Sequence, residues 1–246
     1  MTKEIEKWWN EASKQYQIEN KISAKSAHYG PYAPDENEIR LLGNVKGKKI
    51  LEIGCGGGQC SIAFAREGAR CTGIDISEEQ LKFARELAKK NKVNVKFIQG
   101  DIQTLKGIKS NSFDIVFSAW ALQYVPDLTK CFKEICRVLR KKGLFVFSLN
   151  HPFNSIFDDK KLEIKRSYFK TGKDVEEEIW PDGKKHIFVQ YNRKLSDIYE
   201  SLTDANLFAE KIIEPLKVRK DPWEKDFPLR MAKLVPPTII FKAIKK

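Results

Sequence analysis

The chain is poor in the residues that build metal and disulfide sites: 246 residues contain five cysteines, three histidines and two methionines. Cys55, Cys60, Cys71, Cys131 and Cys136 are odd in number and include no C-x-x-C pair, and three of them fall in expected core elements. Buried thiols are therefore expected rather than a disulfide framework, and no metal site. No apolar run approaches eighteen residues, which excludes an ordinary membrane-spanning helix, and the opening MTKEIEKWWNEASK carries charge where an export signal needs an apolar centre. A soluble, cytoplasmic protein with no membrane partner is expected. Internal repeats and low-complexity segments are also missing. Nor is there a basic tail: the net charge of +12 is spread as 25 basic and 17 acidic residues over 1–150, and 20 and 16 over 151–246. A solvated lysine surface accounts for this, and an RNA-binding face is the alternative.

What the chain does have is a glycine cluster between two periodic segments. In 48–68, KKILEIGCGGGQCSIAFAREG, a strand over 49–53 is followed by a turn on Gly54, Gly56, Gly57 and Gly58, then a helix over 59–66 that Gly68 can end. Such a turn lets main chain approach a bound nucleotide-like cofactor, with free N–H groups at the helix start facing the crevice. The dinucleotide pattern G-x-G-x-x-G fails here because Gln59 stands where its third glycine would be. The pattern present, E-x-G-C-G-x-G, puts the carboxylate of Glu52 beside the turn, where a pyrophosphate is repelled and a cation is welcome. S-adenosylmethionine, with its sulfonium and ammonium, suits that charge.

At these residues the chain resembles the class I S-adenosylmethionine-dependent methyltransferases, in particular their small-molecule branch. The later motifs agree in order and spacing. A β-rich run over 70–74 ends in Asp75, and S-x-x-Q over 77–80 opens a helix carrying Leu81, Ala84 and Ala88 on one face. An acid about twenty residues past the glycine turn can accept from ribose hydroxyls. The resemblance gives Asp75 that role and sets Ile76 against the adenine. A third strand over 94–99 leads to Gly100-Asp101-Ile102, where the resemblance implies that Asp101 accepts from the adenine amino group beside Ile102. FDIVFS over 113–118 is a continuous apolar strand, and the loop Ser118-Ala119-Trp120-Ala121-Leu122-Gln123 at its carboxyl end should border the methyl group. Neither the Asn/Asp-Pro-Pro-Tyr/Phe loop of base N-methyltransferases nor the Pro-Cys nucleophile of cytosine enzymes occurs there.

The resemblance implies an α/β, Rossmann-like seven-stranded methyltransferase sheet of order 3-2-1-4-5-7-6, strand 7 antiparallel, with helices on both faces. A helix over 127–139 ends at RKKG before strand five at 144–149; a helix capped by Ser196 runs to 207; 211–216 and 238–244 supply strands six and seven. Residues 46–150 and 192–246 are the expected core. Residues 1–45 form an N-terminal helical cap whose stripe of Ile5, Trp8, Trp9, Ala12 and Tyr16 either packs on the core or roofs the crevice. Asp35 can cap a helix running to Leu42, and 222–237 reads as irregular. Residues 151–191 form a β-rich insertion with a turn at Pro181-Asp182-Gly183, which the resemblance implies is a substrate lid.

The implied cofactor is S-adenosylmethionine, leaving as S-adenosylhomocysteine, with Glu52, Gly54, Cys55, Gly56, Gly58, Asp75, Ile76, Asp101, Ile102, Ser118 and Ala119 around it. Tyr29 reaches either the cofactor carboxylate or the substrate, or packs. Trp120, Gln123, Tyr124, Tyr168 and Trp180 are the candidate acceptor-binding residues, suited to an aromatic or hydrophobic small molecule. His151, at the carboxyl end of strand five, is the candidate general base or else a turn residue. The rival readings are an RNA methyltransferase and a cofactor-binding protein without catalysis; the oligomeric state stays open.

Overall fold

The computed structural model describes residues 3–158, 161–180, 183, 185–217 and 221–246. In chain order the elements are α1 (Lys3–Asn20), α2 (Glu36–Ile39), β1 (Lys49–Ile53), α3 (Gln59–Arg66), β2 (Arg70–Asp75), α4 (Glu78–Lys90), β3 (Val95–Gln99), β4 (Phe113–Ala119), α5 (Leu128–Val138) and β5 (Leu139–Asn150). They continue with β6 (Phe157–Asp158), β7 (Glu163–Ile164), β8 (Gly172–Ile179), β9 (Lys185–Asn192), α6 (Leu195–Asp204), β10 (Leu207–Ile213), α7 (Leu229–Ala232) and β11 (Thr238–Lys245).

Seven strands form one sheet in the order β3-β2-β1-β4-β5-β11-β10, with β11 antiparallel to both β5 and β10. This is the expected sheet. The central strands β1 and β4 and the second half of β5 are buried along most of their length because both faces are covered. Alternate side chains separate into two cores. Leu51, Ile53, Val116, Phe132, Phe147 and Ile198 pack where α5 and α6 lie, whereas Ile50, Ile115, Phe117 and Val146 pack with Phe64 of α3. Chain order reverses at β1, whose neighbours are β2 and β4, so the carboxyl ends of these three strands open onto one crevice.

Several expected boundaries move. The helix after Asp35 stops at Ile39 rather than Leu42, because the buried Glu36 carboxylate accepts the N–H groups of Leu41 and Leu42 (3.1 and 2.7 Å) and folds the chain back. RKKG does not separate α5 from β5. It lies inside the strand: Phe113 pairs with Leu139 and Ile115 with Leu144, so the basic residues bulge out into solvent, with Lys142 at φ 60°. Helix α6 starts at Leu195 rather than after Ser196, with Asp197 Oδ2 accepting the Lys194 N–H at 3.0 Å, and it ends early enough for β10 to begin at Leu207.

The segment between β5 and α6 holds two hairpins, β6-β7 and β8-β9. Pro181 and Asp182 of its expected turn lie outside the described residues. Helix α1 is stitched to this insertion and to the core. Trp8 packs edge-on against Phe188 (5.0 Å) and Trp180 (6.0 Å), Glu11 meets His186 Nδ1 at 2.9 Å, and Asn10 Oδ1 accepts from Ser77 Oγ at 2.8 Å. No helix among the described residues is long and apolar enough to cross a membrane, and none of them forms a metal-binding cluster.

Candidate active-site crevice

The turn after β1 is held by main chain. Gly54 and Cys55 N–H groups donate to the Ile74 carbonyl of β2 (2.8 and 3.1 Å), and Gly58 N–H donates to Cys55 O at 2.8 Å. Gly54 and Gly56 sit at φ 65° and 49°, a region costly for residues with a side chain. They serve different ends. A Cβ on Gly54 would lie 2.2 Å from Ala121 Cβ, so this glycine lets the turn abut the loop after β4; a Cβ on Gly56 would meet only Gln80 Oε1, 3.9 Å away, on the crevice floor.

Two carboxylates flank the turn. Glu52 is buried, and its Oε2 accepts from the N–H (2.7 Å) and hydroxyl (2.5 Å) of Ser61 in α3. Burial pushes its pKa up to about 7 despite those donors. Asp75, ending β2, accepts from Gly56 N–H at 2.7 Å through Oδ2 and from Ser77 N–H at 2.9 Å through Oδ1. Its pKa is also raised by burial, with the main-chain donors opposing. Each oxygen still has a lone pair for a ligand hydroxyl. Ser77 Oγ accepts from Gln80 N–H (3.2 Å), as expected of the cap, but the Gln80 side chain turns instead to Gln17 of α1.

Over this floor lies a cavity of about 1300 Å³. Its walls include Glu52, Gly54, Cys55, Gly56, Asp75, Ile76, Ile102, Ala119, Trp120, Gln123, Tyr124 and Trp180, so twelve expected site residues are brought together. Helix α1 roofs it. Gln17 donates to Gln80 Oε1 (2.8 Å) and accepts from Gln59 Nε2 (2.7 Å), while its amide fills the space a Cβ on Gly57 would occupy. The floor thiols Cys55 and Cys60 are buried, and burial raises their pKa values well above normal.

Six expected site residues are placed elsewhere. Tyr29 is fully buried beneath the sheet, its hydroxyl donating to Glu36 Oε2 (2.5 Å) and its ring 5.5 Å from Phe117. Ser118 Oγ donates to the Ile53 carbonyl (3.0 Å), bracing β4 to β1. Gly58 is needed for packing, since a Cβ there would strike Phe97 and Ala84 at under 3 Å. Asp101 caps its own turn, Oδ1 accepting from Gln103 N–H at 2.8 Å, and it does not line the cavity. Tyr168 stacks on Phe153 (4.6 Å) and its hydroxyl accepts from Leu195 N–H (2.8 Å). His151 is buried off the crevice: Nδ1 accepts from Phe153 N–H (3.1 Å), so Nε2 carries the proton and donates to Glu214 (2.8 Å). With both ring nitrogens occupied, His151 holds the turn and is not positioned as a base.

The crevice histidine is instead His28, its pKa lowered to about 4 by burial, beside Trp223 at 5.2 Å. Sequence reasoning also missed Gln17, Trp223 and Phe227 as wall residues. Trp223 Nε1 donates to Tyr16 Oη (3.3 Å) across 207 positions, and no local pattern announces such a contact.

A methyltransferase-domain family model matches residues 44–194. An uncharacterized protein of Haemophilus influenzae is 26% identical over 245 residues, 94% of each chain. A ubiquinone biosynthesis O-methyltransferase of Coxiella burnetii is 32% identical over 151 residues, which span 60% of this chain and 59% of that enzyme. Among solved structures, an S-adenosylmethionine dependent methyltransferase of Mesorhizobium loti superposes with a TM-score of 0.67 at 23% identity, covering 84% of this chain and 95% of the other.

Proposed function

The chain belongs to the methyltransferase-domain family, and from that premise we propose that it binds S-adenosylmethionine on the Gly54–Gly56 floor and methylates a small organic molecule by in-line displacement. The observation carrying this reading is the glycine floor between two buried carboxylates, Glu52 and Asp75, at the chain reversal of the sheet. An adenosyl donor fits there. Gly56 leaves room for a ligand against main chain, Asp75 retains acceptor capacity for ribose hydroxyls, and Ile76 and Ile102 supply apolar walls for a base. The cationic end of such a donor is attracted by Glu52, the more so once that carboxyl ionises.

When bound, the donor supplies an activated methyl group and a neutral thioether leaving group. The chain's own residues then have to align the acceptor and exclude water. Helix α1, the loop at Trp120–Tyr124 and hairpin β8-β9 enclose the space above the floor. Alignment of two reactants can be worth roughly 7 to 11 kcal/mol, which makes a dedicated base dispensable. The aromatic walls suit an acceptor with planar or hydrophobic surface, and the Coxiella burnetii relative, an O-methyltransferase by name, supports a small-molecule acceptor.

The test is incubation with methyl-labelled S-adenosylmethionine and, separately, a small-molecule extract or a tRNA pool. Label in a low-mass product is expected. Label confined to RNA would replace this reading by the RNA one, and S-adenosylhomocysteine binding without any methylated product would leave a cofactor-binding protein.

A further inference from the structure

Resting on the donor-binding reading above, we propose that the acceptor carries a cationic amine, seated in an aromatic box formed by α1, the loop after β4, hairpin β8-β9 and the segment around Asp226. The composition of the crevice first points this way. All five tryptophans of the chain line it, as do eight carboxylates against three lysines, although the protein as a whole is +12. An acidic cavity in a basic protein selects cations and repels phosphates. Glu52 and Asp75 account for the donor, which leaves six acids over.

The ring geometry is that of a box. Trp9 meets Tyr16 at 5.3 Å and 86°, and Tyr124 at 5.5 Å and 81°, while Tyr124 meets Phe188 at 5.8 Å and 83°. Rings at right angles form corners, and their negative faces attract an ammonium within about 6 Å. Two acids stand at this corner. Asp226 is close enough to Tyr16 and Tyr124 to raise both phenol pKa values, after burial, and Glu178 does the same to Tyr124. No hydrogen-bond donor among the described residues reaches the Asp226 carboxylate; the neighbouring Lys225 ammonium is 3.4 Å from Glu19.

An independent observation concerns the amides. Gln123 is 4% exposed, and its Nε2 donates to the Trp120 carbonyl at 2.9 Å, which fixes the amide so that Oε1 is the free end. That oxygen has no donor among the described residues, and neither has Asn150 Oδ1; both side chains line the crevice. Trp8 Nε1 is an unpartnered donor on the helix side. Buried acceptors without donors are costly, and a ligand N–H or O–H relieves them. A molecule that joins a cationic nitrogen to an N–H or O–H donor satisfies the amides, the rings and the carboxylates at once.

The experiment uses choline, whose quaternary ammonium fits an aromatic box and whose hydroxyl can donate to the amide oxygens, and its uncharged isostere 3,3-dimethyl-1-butanol, which keeps the hydroxyl. Each is titrated into the full chain with and without saturating S-adenosylhomocysteine, reading tryptophan emission. Choline is expected to bind at least tenfold more tightly than the alcohol in both conditions. An Asp226→Asn/Glu178→Gln double variant is expected to weaken choline about fivefold while holding S-adenosylhomocysteine as the parent does. Equal affinity for the two probes, no choline response, or a double variant indistinguishable from the parent would each overturn the proposal. A choline response in a protein that ignores S-adenosylhomocysteine would instead sink the donor reading and leave the cation site standing.

Discussion

The side of the crevice proposed for the donor and the side proposed for the acceptor are built by opposite means. The proposed donor floor is one continuous stretch, β1 through β2, whose turn is held by main-chain hydrogen bonds and whose carboxylates are tied to N–H groups within 19 residues. The acceptor side draws on α1, the loop after β4, β9 and residues 223–232, joined by ring contacts and by bonds such as Trp223 to Tyr16. Local hydrogen bonding fixes a floor for one kind of ligand. Surfaces assembled from distant segments can change their side chains independently, which suits the part of a site that selects the acceptor.

Changes to the floor should have the largest effects. Gly56→Val puts a β-branched side chain at φ 49° and into the open cradle, and a loss of S-adenosylhomocysteine affinity of at least 100-fold is expected by calorimetry, with circular dichroism unchanged. Parent-like affinity would mean that the donor does not use this floor. Gln17→Leu cuts the joint between the two sides and leaves the Gln59 and Gln80 amides buried without it, so a stability loss of about 2 kcal/mol is expected in urea unfolding. If stability held, α1 would be resting on the floor without being fastened to it.

Glu52 should reveal itself through pH. Its carboxyl titrates near 4.5 when unfolded and near 7 in the folded protein, so across that window the native state keeps a proton that the unfolded chain has released. Stability therefore falls as pH rises from about 4.5 to 7, while affinity for a cationic donor climbs as the carboxylate forms. Glu52→Gln should flatten both profiles; an unaltered affinity profile would remove Glu52 from donor recognition. The smallest effect on catalysis is expected at His151. His151→Gln should leave turnover within about twofold at every pH, because the imidazole faces Glu214 and Phe153 rather than the crevice. Burial lowers its pKa below 6.5, so the folded protein resists protonation and the parent loses stability as pH drops through that value, an effect the variant should lack.

What could be read from the sequence follows the same divide. β1 and α3 occupy the residues expected of them, because an apolar run, a glycine turn and a short amphipathic stretch are local signals. The sheet order also agrees with expectation, through the succession of motifs. For Tyr29 and His151 the sequence leaves two readings open, and the structure takes packing for the one and the turn for the other, through partners invisible to periodicity: one hydroxyl is claimed by Glu36 and one imidazole by Glu214, 63 positions away. The wall at 223–232 reads as an irregular proline-flanked stretch, and only the folded chain brings Trp223 and Phe227 to the crevice. The aromatic stripe of α1 left two options open, and the structure takes both: Ile5 is a core residue while Trp8, Trp9, Ala12 and Tyr16 line the cavity.

The buried cysteines of the floor give the crevice a clock. Cys55 and Cys60 are shielded and hold their protons, so neither is a competent nucleophile until the turn around them opens, whereas Cys136 is only half-buried. Alkylation followed residue by residue would thus time the breathing of the glycine turn directly, and a ligand seated on it would slow the first two thiols while leaving the last untouched.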